Sequence, residues 1–250
     1  MMESGAIARF AGITAYGDRF RGLGWHMSDL IGWTEAPDVV RERIKRSRAA
    51  GTFRTPAFLD ERVVRVPGFL VAASHSDLED QAEQFRGLIT RVITLSIETP
   101  RGRRWVSGTV TQAAFENHVF APEGQWVLEV TCEDPRKYGD VHRFPAGTPV
   151  FHRGNVDAWS VHTVTSAVEV PGGYTITGPN GRIIKITYPV VPGWPHRIDT
   201  ATGILTVNGT PVNNYVTVWQ PWSIPPGPAA FAHTITAGVV LETAVTDTLV

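Results

Sequence analysis

Apolar and polar side chains alternate most regularly near the middle of the chain. Across residues 125–133, Trp126, Leu128, Val130 and Cys132 fall on one side, and Glu129, Thr131 and Glu133 on the other. A period of two predicts a strand with one buried face. Asp134-Pro135 then stops it, because proline lacks a ladder donor and restricts the residue before it. The same reading places strands at Val92–Glu98 and Arg104–Val110, joined by a turn at Pro100-Arg101-Gly102, with a second turn at residues 121–124. Upstream, Ala6–Tyr16 is a first strand candidate, and Phe58–Ala72 is a Val-rich strand region. Gly22, Gly24 and Gly32, with Trp25 and Trp33 between them, mark a connection rich in turns. One segment has the helical period instead. Leu78, Ala82, Phe85 and Ile89 share a face over residues 76–89, with Ser76 as cap and Glu79 three positions on.

Beyond Tyr138 the pattern shortens. Brief apolar runs are punctuated by Pro171-Gly172-Gly173, Gly178-Pro179-Asn180-Gly181, Thr202-Gly203 and Asn208-Gly209. Asn-Gly suits a tight hairpin because both turn positions need positive φ. Closely spaced strands of this kind argue a β-sandwich, and no helix is required. The expectation is a mainly β protein of two domains: a β-sandwich-like domain with one helix over 1–138, and a second β-sandwich over 139–250.

Composition narrows the function classes. With 42% hydrophobic and 19% charged residues, the 250-residue chain has the make-up of a folded protein with real cores. A net charge of −1 gives no global attraction to nucleic acid or anionic membrane. The single cysteine, Cys132, excludes an internal disulfide and reads as a small buried hydrophobe. No stretch of about 18 apolar residues suggests a membrane anchor. The N-terminus, with Glu3, Arg9, Asp18 and Arg19, does not read as a signal peptide, so folding in a reducing cytoplasm is expected.

Candidate chemistry is sparse. His152, Asp157 and His162 form the densest possible metal group, yet His152 and His162 would lie roughly 30 Å apart in extended chain, and only a hairpin could join them. Gly-x-Ser-x-Gly and His-Glu-x-x-His are both missing, and Glu129, Glu133 and Asp134 read as solvated strand-end charges. No enzyme and no cofactor is therefore expected. Residues 37–54 carry Arg41, Arg43, Lys45, Arg46, Arg48 and Arg54, either as a short basic helix from Pro37 or as an extended loop that orders against a neighbour. This run could face passing DNA non-specifically, dock on an acidic neighbouring surface, or be solvated. Trp194, Trp219 and Trp222, with Tyr215, could form a sugar-stacking platform, or corners of a core among prolines.

The strand that runs into Asp134-Pro135-Arg136-Lys137-Tyr138 resembles the interdomain junction of distal tail proteins of long-tailed bacteriophages. The C-terminal half adds to the likeness. Gly173–Pro179, His196-Arg197-Ile198-Asp199-Thr200, Gly203–Gly209 and the closing Trp219, Trp222, Pro225, Pro226, Gly227 follow the order of that family's galectin-like second domain. A departure is Pro228-Ala229, where the family often has asparagine after the Pro-Gly turn. The resemblance implies a structural virion protein at the tail tip, assembled in the host cytoplasm. Its N-terminal domains would form the wall of a homohexameric ring, and galectin-like domains would project outward. Tail tube, tape measure and hub proteins would be its partners. The assembly residues expected are the Arg41–Arg54 segment, Arg101, Arg103 and Arg104, and the hinge Asp134, Arg136, Lys137 and Tyr138. A carbohydrate-binding tail-tip module is the alternative.

Overall fold

The computed structural model describes the chain except residues 1–4, 18–21, 43, 48–49, 51–52, 54 and 237, and the side chains of 228–230. The chain divides into two units, residues 1–137 with Val250, and Tyr138–Leu249.

The first unit contains β1 (Ile7–Phe10), β2 (Ile13–Tyr16), β3 (Gly24–Met27), β4 (Val39–Arg41), β5 (Ala57–Leu59), β6 (Arg62–Val71), helix α1 (His75–Arg86), β7 (Val92–Thr99), β8 (Gly102–Asn117) and β9 (Glu123–Cys132). Seven of these strands close on themselves in the order β8-β7-β1-β2-β3-β6-β9, with β9 returning to β8. The expected sandwich-like domain is thus a closed barrel. The reason lies in β8. Its first half pairs with β7 (Thr99↔Gly102 through Val92↔Thr109), its second half with β9 (Thr109↔Thr131 through Asn117↔Gly124), and its register shifts between Val110 and Gln112. A bulge bends a strand and raises its twist, which lets one long strand serve both neighbours.

Side-chain alternation fills the interior. Trp126, Leu128, Val130 and Cys132 are all buried, as are Val64, Val66 and Leu70 from β6 and Leu95, Ile97 and Val106 from β7 and β8. Burial raises the Cys132 thiol to about 11, which keeps it unreactive. Helix α1 adds Leu78, Ala82 and Phe85 to this core. Phe85 sits in an aromatic cluster, 5.3 Å from the Trp25 ring and 5.7 Å from that of Trp126. Trp25 Nε1 donates to Gln81 Oε1 at 2.9 Å, which ties the helix to β3. The cap is Ser74, whose hydroxyl accepts from the Asp77 amide, rather than Ser76. The helix accordingly begins and ends earlier than its apolar period suggests, and Leu88 rather than Ile89 is buried beyond it.

Two elements differ from expectation upstream. Ala6–Tyr16 is a hairpin, not one strand, turning at Ala11 and Gly12 with φ of 46° and 85°. Trp25 lies on a short core strand, β3, not in a turn. Gly32 does mark a turn; a Cβ there would stand 2.0 Å from the Val63 carbonyl oxygen.

The second unit runs through β10 (Lys137–Pro145), β11 (Pro149–His152), β12 (Ser160–Thr165), β13 (Tyr174–Thr177), β14 (Ile183–Ile186), β15 (His196–Asp199), β16 (Ile204–Val207), β17 (Thr210–Pro211), β18 (Val216–Trp219), β19 (Gly227–Ala232), β20 (Thr234–Ile235) and β21 (Val240–Leu249). One row of strands is β17-β16-β15-β12-β21-β10, a second is β18-β14-β13-β20, and β11 pairs with β19. Val164, Ile198, Leu205 and Leu241 from the first row meet Tyr174, Ile176, Ile184 and Ile186 from the second in one core. Asn180-Gly181 and Asn208-Gly209 turn with positive φ at both residues, as their hairpin chemistry requires. No α-helix forms in this unit among the described residues, and no helix of the chain's described residues is long and apolar enough to cross a membrane.

Candidate assembly surface

Between β3 and β6 the chain leaves the barrel as a two-stranded arm. Strands β4 and β5 pair only with each other, Val39↔Leu59, Val40↔Phe58 and Arg41↔Ala57. The Asp60 amide donates to Asp38 O at 2.7 Å at the root, and the Phe53 amide to Ile44 O at 2.9 Å further out. Between these rungs the Thr55 hydroxyl donates to the Glu42 carbonyl. Within residues 37–54 the described strand is therefore Val39–Arg41, one side of a two-stranded ribbon, and no helix forms there among the described residues.

The surface of the arm is the most unusual one in the first unit. Val39 is 60% exposed and Phe58 is 69% exposed, and Val40, Ile44, Phe53 and Leu59 are exposed as well. On a ribbon both faces can stay wet, so the alternation that buries apolar residues in β9 fails here. Arg41, Lys45 and Arg46 are exposed among them, and the Arg46 guanidinium lies 5.5 Å from the centre of the Phe53 ring. Arg43, Arg48 and Arg54 lie outside the described residues. Phe58 and Leu59, expected within the strand region Phe58–Ala72, belong to the arm and not to a core strand.

At the root, the hinge is held from inside. Arg62 is buried, and its guanidinium donates to the carbonyls of Gly32 (2.7 Å), Glu35 (2.9 Å) and Pro135 (2.7 Å). Lys137 is buried too, its ammonium 2.8 Å from Trp33 O and 5.7 Å from the Trp33 ring centre. Burial, then the charges of Arg62 and Arg104, lowers the Lys137 ammonium to about 8. Lys137 thus works within the chain, and its side chain is not offered to a neighbour. Asp134 accepts from Arg136 Nε at 2.8 Å and from the Arg136 amide, forming a local turn. Phe58, Leu59, Glu133, Asp134 and Arg136 line one shallow groove, which joins the arm to the hinge in space. Tyr138 opens the second unit.

The turn at Arg101–Arg104 borders a separate cleft of about 260 Å³. Arg101 and Arg104 line it, with Asp29, Leu30, Trp33 and Ile97. Arg103 is exposed opposite Glu98, whose carboxyl is held below its ordinary range by the Arg9 ion pair and, less, by Arg103. One further apolar projection had no signal beyond its composition: Phe120, in the connection between β8 and β9, is 99% exposed beside exposed Val119.

In the second unit the three tryptophans do not share a surface. Trp194 is 49% exposed, Trp219 is half-buried against the core, and Trp222 is buried. Trp222 is therefore removed from the possible sugar platform; its indole donates to His233 Nε2 at 2.8 Å. The histidines are likewise occupied. His152 has Ile224 O and the Gly154 amide on its two nitrogens, and Asp157 accepts from Ser223. His162 stands between Ser160 (3.2 Å) and Thr243 (3.0 Å), and Thr243 is 3.3 Å from His233 Nδ1. His152, Asp157 and His162 do not converge, and among the described residues no group of three His, Cys, Asp or Glu could hold a metal.

No family model matches the chain, and no curated protein does. Solved structures share its fold. The SPP1 Dit (gp 19.1) protein, described as a paradigm of the hub adsorption apparatus in phages infecting Gram-positive hosts, superposes with a TM-score of 0.74 at 14% identity. The match covers 98% of this chain and 99% of that one. A chain of the phage p2 baseplate, in its activated conformation with Sr, gives 0.56 at 8% identity over 96% and 97% of the two chains. Its counterpart with Ca gives 0.56 at 8% over 97% and 98%.

Proposed function

We propose that the protein is a non-enzymatic structural component of a phage tail tip, a self-assembling ring adaptor that joins the tail tube to the hub and host-recognition apparatus. One observation carries the reading: a two-stranded arm that leaves a closed barrel with its large apolar side chains in water. A single chain gains nothing by exposing Val39, Val40 and Phe58, whereas a neighbouring surface that covers them gains the free energy of burial. The barrel has no unpaired edges among its seven strands, so its own pairing offers no route to assembly. Full-length likeness to a hub protein and to baseplate chains supports the same role. A heterologous contact repeated around an axis closes into a ring; the family resemblance sets the expected number at six. In that ring the second unit, with its galectin-like order of motifs, projects outward, and DNA passes through the lumen without specific contacts. Tube, tape measure and hub proteins are the neighbours this role requires.

The test is the mass of the purified protein in solution, with negative-stain images of the particles. Closed rings of about six copies are expected. A monomer at every concentration, together with tryptophan quenching by cell-wall glycans, would replace this reading with the carbohydrate-binding one, for which Trp194 and Tyr215 are exposed aromatics.

A further inference from the structure

We infer that the arm of one copy docks on the acidic outer face of helix α1 in the next copy. The inference rests on the self-assembly reading and names the two surfaces that meet. Residues 38–60 carry six basic residues, Arg41, Arg43, Lys45, Arg46, Arg48 and Arg54, against three acidic ones, Asp38, Glu42 and Asp60. The chain as a whole has a net charge of −1, so this stretch of sequence is basic against the rest.

Helix α1 is its electrostatic complement. Its inner face is Leu78, Ala82 and Phe85, and its outer face presents Glu79, Asp80 and Glu83 to solvent. Within the helix only Arg86 opposes these carboxylates and Asp77. Among the described residues no ion pair uses Glu79, Asp80, Glu83, Arg41, Lys45 or Arg46, so both surfaces keep their charge in the single chain. Just beyond the helix, Ile89 and Val92 are exposed. The receiving face thus offers carboxylates with an apolar rim, which suits exposed Arg41, Lys45 and Arg46 together with exposed Val39, Val40, Ile44 and Phe58. A nucleic acid would pair with the cations and leave those apolar side chains in water.

The contact joins two different surfaces, so every copy gives an arm and receives one. It can therefore repeat from copy to copy. Its charge pairs lie at a rim open to solvent and set which surfaces meet, while the apolar contacts hold them.

The test uses two full-length variants. In one, Arg41→Glu, Lys45→Glu and Arg46→Glu reverse the arm; in the other, Glu79→Lys, Asp80→Lys and Glu83→Lys reverse the helix face. All six positions are exposed, and circular dichroism checks that each variant is folded. Native mass spectrometry and light scattering then read the assembly. Each variant alone is expected to need at least about tenfold more protein for half-assembly, a factor within the range of an interfacial charge mismatch. An equimolar mixture is expected to recover assembly as particles with equal numbers of both variants, because each arm then finds a helix of opposite sign. If either variant assembles like the wild type, or if the mixture stays apart while the wild type assembles, this docking is wrong and the ring reading stands. If the wild type is monomeric at every concentration, both fall.

Discussion

Trp222, His233, Thr243, His162, Ser160 and Thr200 form a chain of buried hydrogen bonds whose direction is set at both ends. The indole can only donate, so His233 accepts at Nε2 and carries its proton on Nδ1. Thr243 accepts that proton and donates to His162 Nδ1, and His162 Nε2–H then points at Ser160. At the far end the Thr200 hydroxyl donates to Ser160 O at 2.7 Å. Both histidines are neutral in this arrangement, and burial holds His162 near 3 and His233 near 4. Their folded values lie below the unfolded value, so from pH 6.5 downward the unfolded chain binds protons that the folded one refuses. Stability of this unit therefore falls with acid through that window, at ~1.4 kcal/mol per pH unit for each proton. Denaturation at pH 7 and pH 5 measures the slope, and His162→Gln is expected to reduce it. Lys137 acts in the same sense at higher pH. Its folded value is near 8 against 10.5 unfolded, so the folded state carries a disfavoured cation below pH 8, and stability rises as pH climbs from about 8 to 10.5. Lys137→Met is expected to flatten that rise in urea titrations. A pH-stability curve that is flat for the wild type between 8 and 10.5 would disprove the account of a strained ammonium over Trp33.

Helix α1 shows how far local patterning reaches. Its apolar face was legible from the spacing of Leu78, Ala82 and Phe85, but its cap was not. Ser74 and Ser76 both precede acidic residues three positions on, and only the fold selects Ser74 with Asp77. Ser74→Ala is expected to destabilise the protein by about 1 kcal/mol, and Ser76→Ala to change it by a few tenths at most; thermal melts of the two variants separate the cases. Strand β9 and the Asn208-Gly209 hairpin could be read directly, because one buried face and a two-residue turn leave local marks, whereas Asn180-Gly181 lies in a longer 3-10 connection. Closure of the barrel could not. It depends on β8 pairing with two partners across a bulge at Thr111, a non-local fact with no periodic trace. The arm was harder still. Val39, Val40 and Phe58 are apolar residues with nothing of their own chain to cover them, so no period of two or of 3.6 could sort them. Of the candidate residues, the arginines of the arm do stand at the surface where described, whereas Lys137 and Trp222 went inside because each found a partner there, the Trp33 carbonyl and His233.

At the scale of the whole molecule the two units have separate cores and separate titrating groups. His162 and His233 lie in residues 138–249, and Lys137 with Arg62 lies in the first unit. Calorimetry at pH 5 is expected to split unfolding into two transitions, with only the lower one moving as acid is added. A single transition that shifts as a whole would mean the units unfold as one. The arm adds a different kind of consequence. A barrel with its strands all paired is safe to keep at any abundance, but a limb of bare valines and phenylalanine is not. In the proposed assembly each copy would be stickiest when first made and inert once its limb is covered. Such a part would act as a gauge of its own abundance: scarce copies would wait, and crowded ones commit. The timing of construction would then follow the rate at which ribosomes deliver the chain, with no separate signal to start it.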